Sequence, residues 1–238
     1  MNSPETPYTR YYHLCLDITG KPVLVAGGGE VARRKAAALC DCGARVTVVS
    51  PRLEPVLEYM AFQKEIQWLE REFEPADLEG KFLAVAATDN RDVNRQVAQL
   101  AREKDILCNV ADAPDEGSFI VPSLVERGPL TIAISTSGIS PTLAASIRQE
   151  LELAYGEEYG ALLELLSSLR HQVIQEFASP QARQQVFDRM IASRALSLLR
   201  SGLKDQARKE LEDIMNDARQ DPGLNAPARS LPIVQPPQ

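Results

Sequence analysis

From residue 20 to about residue 110, short apolar runs alternate with stretches whose apolar positions recur every three or four residues. Val23-Leu24-Val25-Ala26 is a continuous apolar run of the kind that makes a strand buried on both faces. In 30–42, Ala32, Ala36, Leu39 and Cys40 fall on one helical face, and Gly43 follows. The β-branched stretch 45–49 reads as a strand, 66–69 as a weaker one, and the FLAVAA run at 82–87 as a strong buried one. Stretch 92–104 is helical, with Val93, Val97, Leu100 and Ala101 on one face, and 106–110 is a further strand. This alternation predicts the α/β class: a parallel sheet with helices on both faces.

Beyond Asp112 the pattern changes. Segments 119–122 and 130–135 are strand-like, with a turn at Gly128-Pro129. A helix opens at Ser140-Pro141, with proline in the first helical position, and runs past Leu151. From 157 to 217 the period is helical throughout, with breaks predicted at Ser179-Pro180 and Ser201-Gly202. Pro222, Pro227, Pro232, Pro236 and Pro237 punctuate the end, which reads as a disordered tail.

Composition narrows the function classes. The 238 residues are 44% hydrophobic and 25% charged, as in an ordinary globular protein. A net charge of −7 argues against a general nucleic-acid binder, yet leaves room for a local basic pocket facing an anionic substrate. Two histidines, His13 and His171, are too few for a three-histidine zinc site. Cys15, Cys40, Cys42 and Cys108 contain no CxxC pair. Residues 1–12 are polar and no apolar run nears the about 20 residues of a membrane helix. The expectation is a cytoplasmic chain with reduced thiols and no membrane partner.

Candidate chemistry begins at Gly27-Gly28-Gly29-Glu30-Val31-Ala32. It fits G-x-G-x-x-G/A between a strand and a helix, the context that a dinucleotide fingerprint requires. Gly27 suits the tight turn, Gly29 the approach of a pyrophosphate, and Ala32 close helix–strand packing. The acid expected about 20 residues later is missing. Val49-Ser50-Pro51-Arg52 stands there, where Ser50 can bond a ribose hydroxyl and Arg52 can meet a 2′-phosphate. The residues alone leave NAD and NADP both open. Thr88 and Asp89 follow the strongest strand, at the edge where α/β sheets bind ligands. Asp89 or Asn90 equally suits the cap of the next helix. Asp112 follows the 106–110 strand at the same edge, as a catalytic carboxylate or as an Asx turn before Ala113-Pro114. A Tyr-xxx-Lys reductase pair is absent, since Tyr155 is followed four residues on by Tyr159.

Four stretches together carry a resemblance: GGGEVARRKAAAL at 27–39, AATDN at 86–90, CNVADAPDEGSFIVPSL at 108–124 and ISTSGISPTLAASIR at 134–148. In their order and spacing, over roughly residues 10–215, the chain resembles the precorrin-2 dehydrogenases of the siroheme-synthase family. The resemblance implies NAD-dependent oxidation of precorrin-2 to sirohydrochlorin. In some members ferrous iron is then inserted as a further substrate. It implies a homodimer holding the tetrapyrrole, and a division into an NAD-binding Rossmann domain at 1–113, a dimerisation segment at 114–150, a helical domain at 151–218 and the Pro-rich tail at 219–238.

By that resemblance Asp112, in the NVxDAP motif, is the catalytic general base. Gly27, Gly28, Gly29, Glu30, Val31, Ser50, Pro51, Arg52, Thr88 and Asp89 hold the dinucleotide. Asn109, Ser118, Ser135, Thr136, Ser137 and Gly138 approach the substrate, although the 135–141 loop equally suits a helix cap. Arg127, Arg148, Arg170 and Arg183 are candidate partners for the substrate's carboxylates, or plain solvated charges. Two other readings stay open: a nucleotide-sensing module without catalysis, and a scaffold in tetrapyrrole synthesis.

Overall fold

The computed structural model describes residues 8–224. Contacts divide the chain into two units, one running to Pro122 and including Ser135–Pro141, the other formed by Ser123–Ile134 and the chain from Thr142 onward.

The first unit is a five-stranded sheet. Its elements are β1 (Pro22–Ala26), α1 (Glu30–Asp41), β2 (Arg45–Val49), α2 (Pro55–Phe62), β3 (Ile66–Leu69), a 3₁₀ turn at Pro75–Leu78, β4 (Leu83–Ala86), α3 (Arg91–Glu103) and β5 (Leu107–Val110), with a second 3₁₀ turn at Pro114–Glu116. The strand order is β3-β2-β1-β4-β5 and every pairing is parallel. This is the Rossmann-type order, which reverses direction at β1 and opens a crevice beside it. The strands are apolar on both faces because helices cover both. Val23, Val25, Val46 and Val48 pack with Ala32, Ala36 and Leu57 of α1 and α2. Leu24, Ala26, Ala84 and Ala86 pack with Val97, Ala98 and Ala101 of α3.

One sequence expectation shifts and one helix is added. The strand expected at 119–122 begins at Ser123 instead, as β6 (Ser123–Arg127), paired with β7 (Leu130–Ile134) in an antiparallel hairpin. Pro122 has no N–H to give a ladder, and the backbone before it leans on β5. There the Ser118 and Phe119 N–H groups donate to the Cys108 carbonyl at 2.8 and 3.4 Å. Helix α2 went unread because its apolar residues do not form one stripe: Leu57 and Met60 are buried while Val56, Tyr59 and Phe62 are exposed. Its start was nonetheless written in Glu54-Pro55. The Glu54 carboxylate accepts from the Leu57 N–H at 3.1 Å, and proline fills the first turn.

The second unit carries the β6–β7 hairpin, most of α4 (Pro141–Ala154), α5 (Glu157–Glu176), α6 (Pro180–Ile191), α7 (Ala195–Arg200) and α8 (Lys204–Gln220). Leu165, Leu169, Val173, Phe177, Met190 and Leu211 form its core. Breaks fall at Ser179-Pro180 and Ser201-Gly202, with a further one between α6 and α7. The Ser179 hydroxyl caps α6 by accepting from the Ala182 N–H at 3.0 Å. Gly160 lets α5 lie on the hairpin turn, since a Cβ there would sit 2.5 Å from the Arg127 carbonyl oxygen. Helix α8 continues to Gln220, and Leu224 is buried beyond it. The rest of the expected Pro-rich tail, 225–238, lies outside the described residues. Among the described residues no helix is long and apolar enough to cross a membrane.

Candidate functional site: a nucleotide cleft and a paired aspartate

The turn after β1 is shaped by glycine packing. Gly27 has φ 125°, and a Cβ on it would sit 2.3 Å from the Ala87 carbonyl oxygen. At Gly28 a Cβ would sit 1.9 Å from the Arg52 carbonyl oxygen and 2.6 Å from the Ser50 hydroxyl. The Gly28 carbonyl in turn accepts from the Glu54 N–H at 2.8 Å. Gly29 differs: nothing lies within 4 Å of where its Cβ would be. Gly29 is also the N-cap of α1 and offers no side-chain cap, so the first N–H groups of the helix point outward. That is an anion cradle left open on the side where a pyrophosphate would approach.

An open cleft of about 810 Å³ lies in front of this turn. Its walls are 27–31, the loop 49–54, Glu72 and Phe73 after β3, and 87–90 after β4. The structure therefore gathers Gly27, Gly28, Gly29, Glu30, Val31, Ser50, Pro51, Arg52, Thr88 and Asp89 around one cleft. Glu72 and Phe73 were not foreseen, although the strand-end rule applies to β3 as much as to β4. The Ser50 hydroxyl is turned back into its own loop, where it donates to the Arg52 carbonyl at 2.6 Å. Its carbonyl accepts from the Trp68 indole N–H at 2.9 Å. Ser50 thus braces the loop that Gly28 packs against, and the Arg52 side chain is exposed.

Asp112 sits elsewhere on the same strand-end edge. Its Oδ2 accepts from Arg91 at 3.0 Å, and its Oδ1 accepts from the Asn94 amide at 3.1 Å. Arg91 also donates to Glu116 at 2.9 Å, and Arg95 stands 3.8 Å from the same carboxylate. Partial burial pushes the Asp112 carboxyl up. The hydrogen bonds from Arg91, from its own backbone N–H and from Asn94, in that order, outweigh it and hold the group below the ordinary aspartate value of 3.8. With its side chain 46% exposed, Asp112 is a solvent-reachable carboxylate that stays ionised at neutral pH. Arg91 and Asn94 lie in the first turn of α3 and were missed. Asn94 precedes Val97, Ala98 and Ala101 by three, four and seven positions, all buried, so a polar residue on the buried stripe was the available signal.

The expected substrate residues fall in two local hydrogen-bond networks, one beside β5 and one in the 135–140 turn. Asn109 is 4% exposed, donates to the Phe119 carbonyl at 3.1 Å, and its Oδ1 is buried without a partner. The Ser118 hydroxyl accepts from the Cys108 N–H at 2.8 Å. Ser135, Thr136, Ser137 and Gly138 form a tight turn. The Ser135 hydroxyl accepts from the Ser137 N–H at 3.2 Å, and the Thr136 hydroxyl donates to the Ser140 carbonyl at 3.1 Å. Ser137 and Gly138 both take positive φ, 54° and 80°. Three of the four candidate arginines are engaged within the second unit. Arg127 donates to the Tyr155 and Glu152 carbonyls, capping α4. Arg148 pairs with Glu152, and Arg183 donates to the Phe177 carbonyl at 2.7 Å. Arg170 is exposed. Among the described residues no three or more His, Cys, Asp or Glu side chains converge as a metal site would.

Fold and cleft define the class: a Rossmann-type dinucleotide-binding unit followed by a hairpin and a helical unit. Family models divide the chain along the same sequence. An NAD(P)-binding family matches 14–123, the sirohaem biosynthesis protein central family matches 127–153, and the sirohaem synthase dimerisation region matches 158–215. Siroheme synthase 1 of Aeromonas salmonicida is 46% identical over 77% of this chain and 39% of its own length. Siroheme synthase 3 of Aeromonas hydrophila is 42% identical over 90% of this chain and 46% of its own. The chain thus spans less than half the length of these relatives. A solved structure, SirC, precorrin-2 dehydrogenase, superposes with a TM-score of 0.72 at 26% identity, covering 85% of this chain and 100% of that one. The chain belongs to the siroheme-synthase family.

Proposed function

We propose that the protein oxidises precorrin-2 to sirohydrochlorin with NAD, in siroheme biosynthesis. The observation that carries this reading is the pairing of an open dinucleotide cradle with an ionised, solvent-reachable aspartate on one sheet edge, in a chain of this family. The open α1 N-terminus at Gly29 suits the pyrophosphate, and the loop 50–52 and Glu72 suit the adenosine end. When bound, the nicotinamide supplies the hydride acceptor.

Asp112 is the general base in this reading. It takes the proton that leaves the macrocycle as the hydride leaves, so two electrons and one proton go with the hydride transfer and one proton goes to the carboxylate. Its low proton affinity keeps it in the accepting form across neutral pH. Arg91 neutralises its charge before the reaction and is placed to bond the acid that forms after it.

Three finer statements belong to the same reading. The protein is a homodimer, which the match of 158–215 to a dimerisation region supports. Ferrous iron is a further substrate, inserted into sirohydrochlorin. The protein works in the cytoplasm, where NAD and reduced thiols coexist.

The test is one cuvette. Protein, NAD and fresh precorrin-2 are mixed, and the absorbance change to sirohydrochlorin is followed with NADH formation. Ferrous or cobaltous ion is then added. Stoichiometric NADH and sirohydrochlorin support the dehydrogenase. Absence of both overturns it and leaves a nucleotide-sensing or scaffold role. A second change above the metal-only control supports iron insertion.

A further inference from the structure

Asn94 is 1% exposed, although it is a polar residue on a helix. A buried amide is stable only when its donors and acceptors are matched. Here they are. The Thr88 backbone N–H and hydroxyl donate to Asn94 Oδ1 at 3.0 and 2.7 Å. Asn94 Nδ2 donates to the Thr88 carbonyl at 3.0 Å and to Asp112 Oδ1 at 3.1 Å.

These partners also decide which way the amide points. A backbone N–H can only donate, so the atom facing Thr88 N–H must be the oxygen. The NH₂ end is then left for two acceptors, the Thr88 carbonyl and Asp112. The group presented to Asp112 is therefore an obligatory donor. Thr88 lines the nucleotide cleft, so one saturated side chain ties the cleft wall to the aspartate.

We infer that Asn94 is the positioning residue of the Asp112 site, holding Oδ1 as an acceptor against the carboxyl end of β4. The inference deepens the precorrin-2 reading and rests on it for what Asp112 then does. Of the charged groups nearby, Arg91 bonds the other carboxylate oxygen, and Glu116 and Arg95 stand behind Arg91. Asn94 is the one of these partners that is uncharged and enclosed. It fixes direction without adding charge.

The experiment uses the full chain with Asn94→Asp, Thr88→Val and Asp112→Asn. The Asp112 carboxyl is titrated by carboxyl-carbon NMR, and kcat and KM for NAD-dependent precorrin-2 oxidation are measured against pH. Asn94→Asp keeps size and can still accept from Thr88. It replaces the donor with a carboxylate oxygen facing Asp112, and a like charge at that distance raises the proton affinity of the pair. The expected result is an upward move of the Asp112 midpoint by about one pH unit or more, with the acid limb of kcat moving with it and a smaller change in KM for NAD than in kcat. Thr88→Val removes the hydroxyl that pins the amide and moves the midpoint in the same direction by less. It gives the answer should Asn94→Asp fail to fold.

An unmoved Asp112 midpoint in the folded variants overturns the inference. If the wild type oxidises precorrin-2 while that midpoint stays fixed, the positioning role fails and the functional reading stands. If the midpoint moves but wild type and Asp112→Asn are alike in oxidising no precorrin-2, the functional reading fails and the positioning contact stands.

Discussion

The nucleotide cleft and the Asp112 cluster share one edge of one sheet and meet at Thr88, but they are held by different kinds of contact. The cleft is backbone work. Gly27 and Gly28 press on the carbonyls of Ala87 and Arg52, and no side chain caps α1. The Asp112 cluster is side-chain work, made by Arg91, Asn94, Thr88 and Glu116. Backbone contact is indifferent to pH and intolerant of a single added carbon. A side-chain cluster tolerates a change that keeps shape and fails when charge or proton affinity changes. Cofactor binding and chemistry should therefore be separable by substitution.

The largest effects fall on the backbone side. Gly27→Ala must adopt φ 125° with its Cβ 2.3 Å from a carbonyl oxygen, and Gly28→Ala meets one at 1.9 Å. Neither neighbour is a flexible side chain that can swing away. Each change should cost about 3 kcal/mol of stability and abolish NADH binding, read by denaturant melts and NADH fluorescence. A variant that folds and binds like wild type would break the contrast on this side. Next comes Asp112→Asn, which conserves shape. Turnover should fall by about 100- to 10,000-fold, the usual contribution of a general base. NAD affinity and melting temperature should stay at wild-type values, because the exposed pair with Arg91 is worth at most about 1 kcal/mol. A matching loss of NAD affinity would show that the two regions are one.

Gly29→Ala tests the open side of the cradle. The residue has φ −90°, which alanine adopts freely, and no atom lies within 4 Å of the new carbon. Unlike its neighbours, this variant should keep the stability of the free protein within about 1 kcal/mol. The methyl group would stand where a phosphate approaches, so NAD should bind about tenfold more weakly, the scale of one weakened charge-assisted hydrogen bond. Equal NAD affinity in the two proteins would mean that the phosphates are held somewhere other than Gly29.

The same contrast explains what could be read in advance. The cleft was legible because its signals are local: an apolar strand, three glycines and a helical stripe within a few residues, each with a steric reason. The strand-end rule then supplied Thr88 and Asp89. Asp112 could be singled out from its motif, but its partners could not, since Arg91 and Asn94 lie 21 and 18 residues before it. The pairing of β4 with β5 sets the first turn of α3, which follows β4, beside the loop that follows β5, and no local pattern specifies that meeting. Ser50 shows the converse. Its position was legible, but the bond of its hydroxyl to the Arg52 carbonyl depends on a loop shape that no local pattern specifies.

Arg91→Gln should have the smallest effect at neutral pH and the clearest sign. The guanidinium, the residue's own backbone N–H and the Asn94 amide hold the folded Asp112 carboxyl below its ordinary value of 3.8. A carboxyl lowered on folding contributes stability above its unfolded value, and that contribution is lost as pH falls through the folded value. In Arg91→Gln the amide can still donate, but the charge is gone, so the folded value rises toward the ordinary one. The difference in stability between the two proteins should be present at neutral pH and vanish below the folded value. It should stay small throughout, because Arg91 and Asp112 are both about half exposed. The acid limb of turnover should move to higher pH, while the neutral plateau falls little because both forms remain ionised there. The measurement is a pair of pH–kcat profiles beside acid melts. A limb that moves without a stability change would assign Arg91 to the chemistry alone. A limb that stays fixed would leave Asn94 as the side chain that sets the proton affinity of Asp112.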